Sequence, residues 1–375
     1  MRIGILGGGQ LARMMVAAGI ELGLDFIVLD PASDACAGQL APLIIGDWAS
    51  ASEQPELLAC DRITCDFENV PAAVLESLAA AVTVRPGPMA FEAAQDRLVE
   101  KSLLRQLAIP VPDFAPVSSR PELLAAIERI GLPAVLKTRR LGYDGKGQAV
   151  LRSQEDLEPA WQALGEHELI LEAWVPYRHE CALTAVRCAG GEIRFYPLSW
   201  TVHDQGILRL ARAPAPVDPA LVDEARSHVR LLMDHLDYVG CLTLELFVGE
   251  FGLLANEFAP RVHNSAHWTI EGSLTSQFEN HLRAVADLPL GDTGMRGQTL
   301  MFNWIGAMPA VDKLLSVPGL RWHDYGKQAR SGRKVGHATL VARDQDELAE
   351  RLAQIRPLLD DQTASLLSGE ITPLG

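Results

Sequence analysis

Apolar positions change their spacing along the chain, and the changes mark out three stretches. In residues 1–95, short apolar runs (Arg2–Leu6, Phe26–Leu29, Leu43–Ile45, Arg62–Cys65 and Val82–Val84) alternate with segments of helical period, one from Gln10 to about Leu22 and others near 53–59 and 71–80. Buried strands separated by helices predict a parallel, doubly wound sheet. A helical pattern at 91–105 is ended by Ile109-Pro110-Val111-Pro112, because proline breaks the helix and restricts the residue before it. A helix at about 121–130, a strand at 133–137, a glycine loop, another strand, a helix at 155–163 and a strand at 168–175 then predict a compact α+β unit. Antiparallel strands at 180–212, an amphipathic helix at 219–237 and a hairpin at 240–258 follow. From about 296, short strands and one helix (345–358) predict a smaller C-terminal unit.

The hairpin carries the first chemical signal. Leu242-Thr243-Leu244-Glu245-Leu246 alternates apolar and polar positions as a half-buried strand does, and a second apolar run, Leu253 to Phe258, follows Gly249-Glu250-Phe251-Gly252. A three-residue loop with Gly252 in a left-handed bulge position places Glu245 opposite Glu257. A two-residue loop would shift that register and leave two solvated carboxylates. Like charges facing each other across a strand pair repel, and a divalent cation between them removes the repulsion. The expectation is a magnesium site at Glu245 and Glu257. The run Asn256-Glu257-Phe258-Ala259-Pro260-Arg261-Val262-His263-Asn264-Ser265 would then set an anion site beside it.

Charge sharpens this picture. The net charge is −15, which disfavours nucleic acid or an anionic membrane surface as a partner. Residues 1–95 hold 12 acids and 4 bases, yet Arg321, Lys327, Arg330, Arg333 and Lys334 crowd one segment with only Asp324. A basic knot in an acidic protein suits a small anionic ligand. Cys36, Cys60, Cys65, Cys181, Cys188 and Cys241 have no C-x-x-C spacing, so zinc is not expected. With no leader-like segment and no 18-residue apolar run, the expected setting is cytoplasmic and reduced.

Two glycine-rich segments point to phosphates. Lys137 ends an apolar strand and precedes Gly142-Tyr143-Asp144-Gly145-Lys146-Gly147-Gln148, a loop whose backbone amides can approach phosphate oxygens. It is not a Walker A loop, since Gly147 follows Lys146 where Ser or Thr is required. Lys137, Lys146, Lys327 and Lys334 are four of the chain's six lysines, and all fall in candidate anion-binding segments. Gly7-x-Gly9-x-x-Ala12 after the first strand, with Asp30 downstream, formally matches a dinucleotide fingerprint. It suits a substrate phosphate equally well. Leu171-Glu172-Ala173-Trp174-Val175 followed by Glu180 can read an adenine edge through backbone groups and a ribose through Glu180.

In their order, Arg97, Lys137, the glycine flap, Glu172 to Val175, Glu180, Glu245 and Glu257 resemble the ATP-grasp superfamily. Within it the chain is similar to the N5-carboxyaminoimidazole ribonucleotide synthetases, over nearly its whole length. The segments that carry this are Gly7-Gly8-Gly9-Gln10-Leu11, residues 142–148, Tyr196-Pro197-Leu198, Asn256 through Trp268, and Gly332-Arg333-Lys334-Val335-Gly336-His337. The resemblance implies an α/β and α+β architecture. Residues 1–95 would form a Rossmann-like pre-ATP-grasp domain, 96–295 an ATP-grasp domain with a lid at about 110–175, and 296–375 a small C-terminal domain. It implies that Arg97, Lys137, Gly142, Tyr143, Asp144, Gly145, Lys146, Gly147, Gln148, Glu172, Ala173, Trp174, Val175, Glu180, His203, Asn256 and Glu257 hold ATP, with Mg2+ at Glu245 and Glu257. Arg261, His263 and Asn264 would orient bicarbonate. Gln10, Leu11, Glu68, Tyr143, Asp144, Lys327, Arg330 and Arg333 would hold 5-aminoimidazole ribonucleotide. Ala12-Arg13 and Cys65-Asp66 depart from the family pattern. The implied activity is ATP-dependent carboxylation through carboxyphosphate, in purine biosynthesis, by a homodimer. The alternatives are a formate-dependent glycinamide ribonucleotide transformylase, a biotin carboxylase, a nicotinamide-dependent oxidoreductase resting on Gly7 and Gly9, or a silent nucleotide-binding regulator.

Overall fold

A computed structural model describes residues 1–142 and 145–369. Three sheets organise it. The first holds β1 (Arg2–Leu6), β2 (Asp25–Asp30), β3 (Leu43–Ile45) and β4 (Arg62–Cys65), all parallel in the order β3-β2-β1-β4. The predicted strand at Val82–Val84 reduces to one bridge, Val84 beside Ile63. Helix Gln10–Ile20 lies on this sheet, and helix Gln277–Val285 packs onto it from far along the chain, so Met15, Phe26, Phe278, Leu282 and Val285 share one core. Gly19 makes the approach possible, since a Cβ there would collide with Phe26 and Leu282.

The second sheet is antiparallel: β5 (Phe114–Val117), β6 (Ala134–Thr138), β7 (Gln148–Leu151) and β8 (Leu169–Ala173), in the order β5-β8-β6-β7. Helices Arg120–Ile130 and Leu157–Leu164 cover one face through Leu123, Ile127, Leu157 and Ala160. The third sheet has nine antiparallel strands. These are β9 (His179–Arg187), β10 (Ile193–Phe195), β11 (Ser199–Asp204), β12 (Ile207–Ala213), β13 (Gly240–Gly249), β14 (Gly252–Ala259), β15 (Gln298–Ile305), β16 (Leu320–Asp324) and β17 (Lys334–Ala342). Their order is β14-β13-β9-β11-β12-β15-β17-β16, with β10 beside β9. The strands beyond residue 296 therefore extend the same sheet, through β12 and β15 (Leu210 beside Phe302, Ala213 beside Thr299). Trp200, Val202 and Leu210 pack in one cluster with Phe302, Leu340 and Ile355. Among the described residues no helix is long and apolar enough to cross a membrane.

Helix Gln277–Val285 also ties the first sheet to the third. His281 Nδ1 accepts the Cys241 N–H (3.1 Å), which leaves the proton on Nε2 for Thr64 Oγ1 at 2.8 Å. Burial holds the ring neutral and pulls its pKa down from 6.5 to about 4. A histidine depressed in the folded state contributes stability that is complete above pH 6.5 and is lost as pH falls toward 4, because the unfolded chain takes up the proton first. The contribution is about 3 kcal/mol. His281→Gln should flatten the loss of urea resistance between pH 6.5 and 4.5 by about one proton's worth. An unchanged slope would remove His281 from the acid response.

Candidate active site

The β13–β14 hairpin supplies the acidic centre, by a different route from the one its sequence predicts. Gly249 pairs with Gly252, so the loop has two residues, although Gly252 does take the left-handed conformation (φ +83°). A β-bulge between Leu244 and Leu246 then restores the opposition: Leu246 pairs with Ala255 and Leu244 with Phe258, so Glu245 faces Asn256 and Glu257 together. Burial, then the charge of Glu257, push the Glu245 carboxyl up to about 7. Burial would raise Glu257 too, but Arg97 outweighs it and holds that carboxyl below its usual range. The buried Asn256 Oδ1 has no hydrogen-bond partner among the described residues. Two crowded carboxylates beside an unsatisfied amide oxygen form an all-oxygen donor set suited to a hard divalent cation such as magnesium. Among the described residues no cluster of three or more His, Cys, Asp or Glu forms a metal cage.

Helix Arg97–Gln106 faces this centre. The predicted 91–105 helix is in fact two, Pro88–Ala94 and Arg97–Gln106, with Asp96 capping the second by accepting the Leu98 N–H at 3.0 Å. Arg97 donates from Nη1 to Glu257 Oε2 (2.6 Å) and from Nη2 to the Gly142 carbonyl (3.2 Å), linking the acidic centre to the flap. One turn on, Glu100 accepts the Phe258 N–H at 2.6 Å and Lys101 reaches the Ala255 carbonyl at 3.4 Å. Lys137 on β6 lies 2.9 Å from Glu172 Oε2 on β8. The Ala173 and Trp174 amides already bond to Asp113 and Pro133 carbonyls.

The flap closes on the third sheet. A Cβ at Gly145 (φ +75°) would lie 2.7 Å from the Gln205 carbonyl in the β11–β12 turn, and one at Gly147 (φ +70°) 2.5 Å from Thr138 Oγ1. Glycine is required at both for backbone conformation and close approach. Tyr143 and Asp144 lie outside the described residues. Nearby, His203 Nδ1 is 2.8 Å from Glu180 Oε2. Burial would lower the His203 pKa, but the Glu180 hydrogen bond and charge raise it.

Beyond the hairpin, Gln277 fixes the 261–267 loop by accepting the His263 N–H (2.9 Å) and donating to the His263 carbonyl (2.7 Å). His263 Nδ1 lies 2.8 Å from Ser265 Oγ and 3.4 Å from the Ser265 amide nitrogen, and Nε2 lies 3.4 Å from Glu245 Oε1. Burial and Arg261 keep the ring neutral. The Asn264 side chain exchanges two hydrogen bonds with Asn303 on β15 (3.0 and 2.6 Å). The pair holds the loop against β15 and uses one of the two Asn264 amide N–H groups. Arg261 Nη2 donates to Glu68 Oε2 at 2.6 Å, tying the segment after β4 to the 261–267 loop. Gln95 fixes the Glu68 segment by donating to the Glu68 and Val70 carbonyls.

The basic segment completes this side. Lys327 Nζ donates to Gln10 Oε1, while Leu11 is buried behind it. Lys327 and Arg333 line a cleft of ≈ 290 Å³ with Ser33, Asp34, Gln39 and Gln328. Arg330 is exposed in the turn that precedes Arg333. Ser33, Asp34, Gln39, Asn303, Gln277 and Lys101 escaped the sequence reading; none carries a motif, and only the fold brings them here.

The Gly7-Gly8-Gly9 loop excludes one alternative. Its amides go to the Leu29 carbonyl (2.9 Å), Asp30 Oδ2 (2.7 Å) and Asp66 Oδ2 (2.6 Å). Carboxylates already sit where a pyrophosphate would accept those donors, so a nicotinamide dinucleotide has no anion site there.

Known proteins share this domain succession and fold over nearly the whole chain. Three family models match in succession: a ribonucleotide synthetase preATP-grasp domain over residues 1–95, an ATP-grasp domain over 102–278, and a phosphoribosylaminoimidazole carboxylase C-terminal domain over 299–351. An N5-carboxyaminoimidazole ribonucleotide synthase of Pseudomonas aeruginosa is 49% identical over 361 residues, 96% of this chain and 100% of that one. That of Bacillus subtilis is 37% identical over 93% and 94%. Among solved structures, the Thermus thermophilus synthetase superposes with a TM-score of 0.91 at 48% identity, covering 96% of this chain and 99% of that one. An Aspergillus clavatus synthase in complex with ADP and 5-aminoimidazole ribonucleotide gives 0.88 at 32% identity, over 97% and 98%. The shared length, sequence and domain succession together place this chain in the N5-carboxyaminoimidazole ribonucleotide synthase family, as an ATP-grasp ligase.

Proposed function

We infer that the chain condenses ATP, bicarbonate and 5-aminoimidazole ribonucleotide into N5-carboxyaminoimidazole ribonucleotide, ADP and phosphate. The observation that carries this is the Arg261–Glu68 contact of 2.6 Å. It joins an ATP half (Arg97, Lys137, the 142–148 flap, Glu180, His203, Glu245, Glu257) to a ribonucleotide half (Gln10, Glu68, Lys327, Arg333), so an acyl phosphate made in one can meet an amine held in the other.

Bicarbonate is a weak electrophile. One of its oxygens attacks the γ-phosphorus, ADP leaves, and carboxyphosphate results; the exocyclic amine then attacks the carboxyl carbon and phosphate departs. Catalysis of the first step is mainly positioning and charge neutralisation. Lys137 and Arg97 face the phosphates, with the flap amides above them. Arg261 orients bicarbonate, while neutral His263 presents its Nε2 beside Glu245. Glu245, Glu257 and Asn256 would hold magnesium, which would supply charge neutralisation at the phosphate oxygens. With Ala173 and Trp174 amides engaged inside the fold, an adenine edge meets Val175. The flap excludes water from a readily hydrolysed intermediate. The family also leads us to propose a cytoplasmic homodimer.

ADP release from ATP and magnesium, with bicarbonate and the ribonucleotide each omitted in turn, tests the reading. Release dependent on the ribonucleotide is expected. Release stimulated only by formate and glycinamide ribonucleotide would move the chain to the neighbouring ligases.

A further inference from the structure

Helix Arg97–Gln106 buries a charge whose use the reaction leaves unexplained. Lys101 is 1% exposed, and its ammonium lies 3.4 Å from Glu172 Oε2, the oxygen that Lys137 approaches to 2.9 Å. The other oxygen, Glu172 Oε1, has no partner among the described residues. One carboxylate thus carries two cations. One of them comes from the helix that also holds the Ala255 carbonyl and the Phe258 amide; the other comes from the lid strand β6.

We propose that Lys101 is a positioning residue for the nucleotide: it is the standing counter-ion of Glu172, so that Lys137 can turn from that carboxylate to the ATP phosphates. This rests on the assignment of Lys137 to ATP. A buried carboxylate stripped of its only cation is strongly disfavoured, so a lone Lys137 would stay where it is and phosphate binding would suffer. With Lys101 in place Glu172 keeps one partner throughout. Burial would raise the Glu172 pKa, yet the charges of Lys101 and Lys137 and the Lys137 hydrogen bond pull it down to about 2.

ATP affinity by calorimetry and the KM of each substrate test the proposal in K101M, K101R, K137M, E172Q and the pair K101M/E172Q. K101M should weaken ATP about tenfold or more and leave the ribonucleotide KM within about twofold. K101R should bind ATP within about threefold of the parent. In the E172Q background, whatever its own affinity, adding K101M should cost less than about twofold, because the carboxylate that Lys101 neutralises is gone. Unchanged ATP affinity in K101M, or a tenfold cost of K101M in the E172Q background as well, overturns the proposal. Should K101M not fold, the comparison of E172Q with K101M/E172Q decides alone: equal affinity supports charge compensation, and a tenfold loss overturns it. Unchanged ATP affinity in K137M would instead overturn the placement of Lys137 itself.

Discussion

Glu257→Gln should lose about 10³-fold or more in turnover while the protein remains folded. The amide keeps the volume of the carboxylate at a partly exposed position. Two electrostatic effects oppose each other: Arg97 loses its 2.6 Å partner, and Glu245 is relieved of the neighbour that helps push its carboxyl up to about 7. Stability should therefore change by about 1 kcal/mol or less. Chemistry should not recover, because the all-oxygen donor set loses the charge that neutralises phosphate. Thermal unfolding and single-turnover ADP formation, measured side by side, separate the two. Wild-type turnover in the variant would remove the cation from the β13–β14 hairpin.

Arg333→Ala should raise the KM for the ribonucleotide about 10- to 100-fold and leave that for ATP within about twofold. Arg333 sits in the cleft with Lys327, Ser33 and Asp34, away from the β13–β14 carboxylates. Its side-chain bond to the Gln328 carbonyl, at 3.4 Å, is marginal, so truncation should cost the fold little. Equal losses for both substrates would mean that the basic segment serves the nucleotide, or shapes the whole site.

Much of this was legible because local period reports local structure. The helix–strand alternation of residues 1–95 and the hairpin at 240–258 are both present. The facing of Glu245 and Glu257 is present too, yet it depends on a bulge that no loop rule supplies. There β14 is held by Glu100 at the Phe258 amide and by Arg97 at Glu257, both from a helix over 150 residues earlier. Long-range partners of this kind leave no mark on period. Lys101 shows the limit well: nothing within the 91–105 pattern sets it apart, and it is buried only because that helix packs on β14 and Glu172 of β8 reaches it. Asp30 stood out only as the acid of a dinucleotide fingerprint and Asp66 only as a departure from the family pattern, neither as a partner of the glycine amides. A glycine loop looks open to phosphate until the carboxylates that fill it are placed.

The pairing of β12 with β15 has a consequence for how this family can change. Excising residues from 296 onward would leave β12 with a bare row of amides and carbonyls, an open edge of the kind that recruits other chains into aggregates. The C-terminal segment is thus no exchangeable cassette. New acceptors have to be gained through the loops that rim the cleft, such as 33–39 and 326–333, on a platform that must be inherited whole.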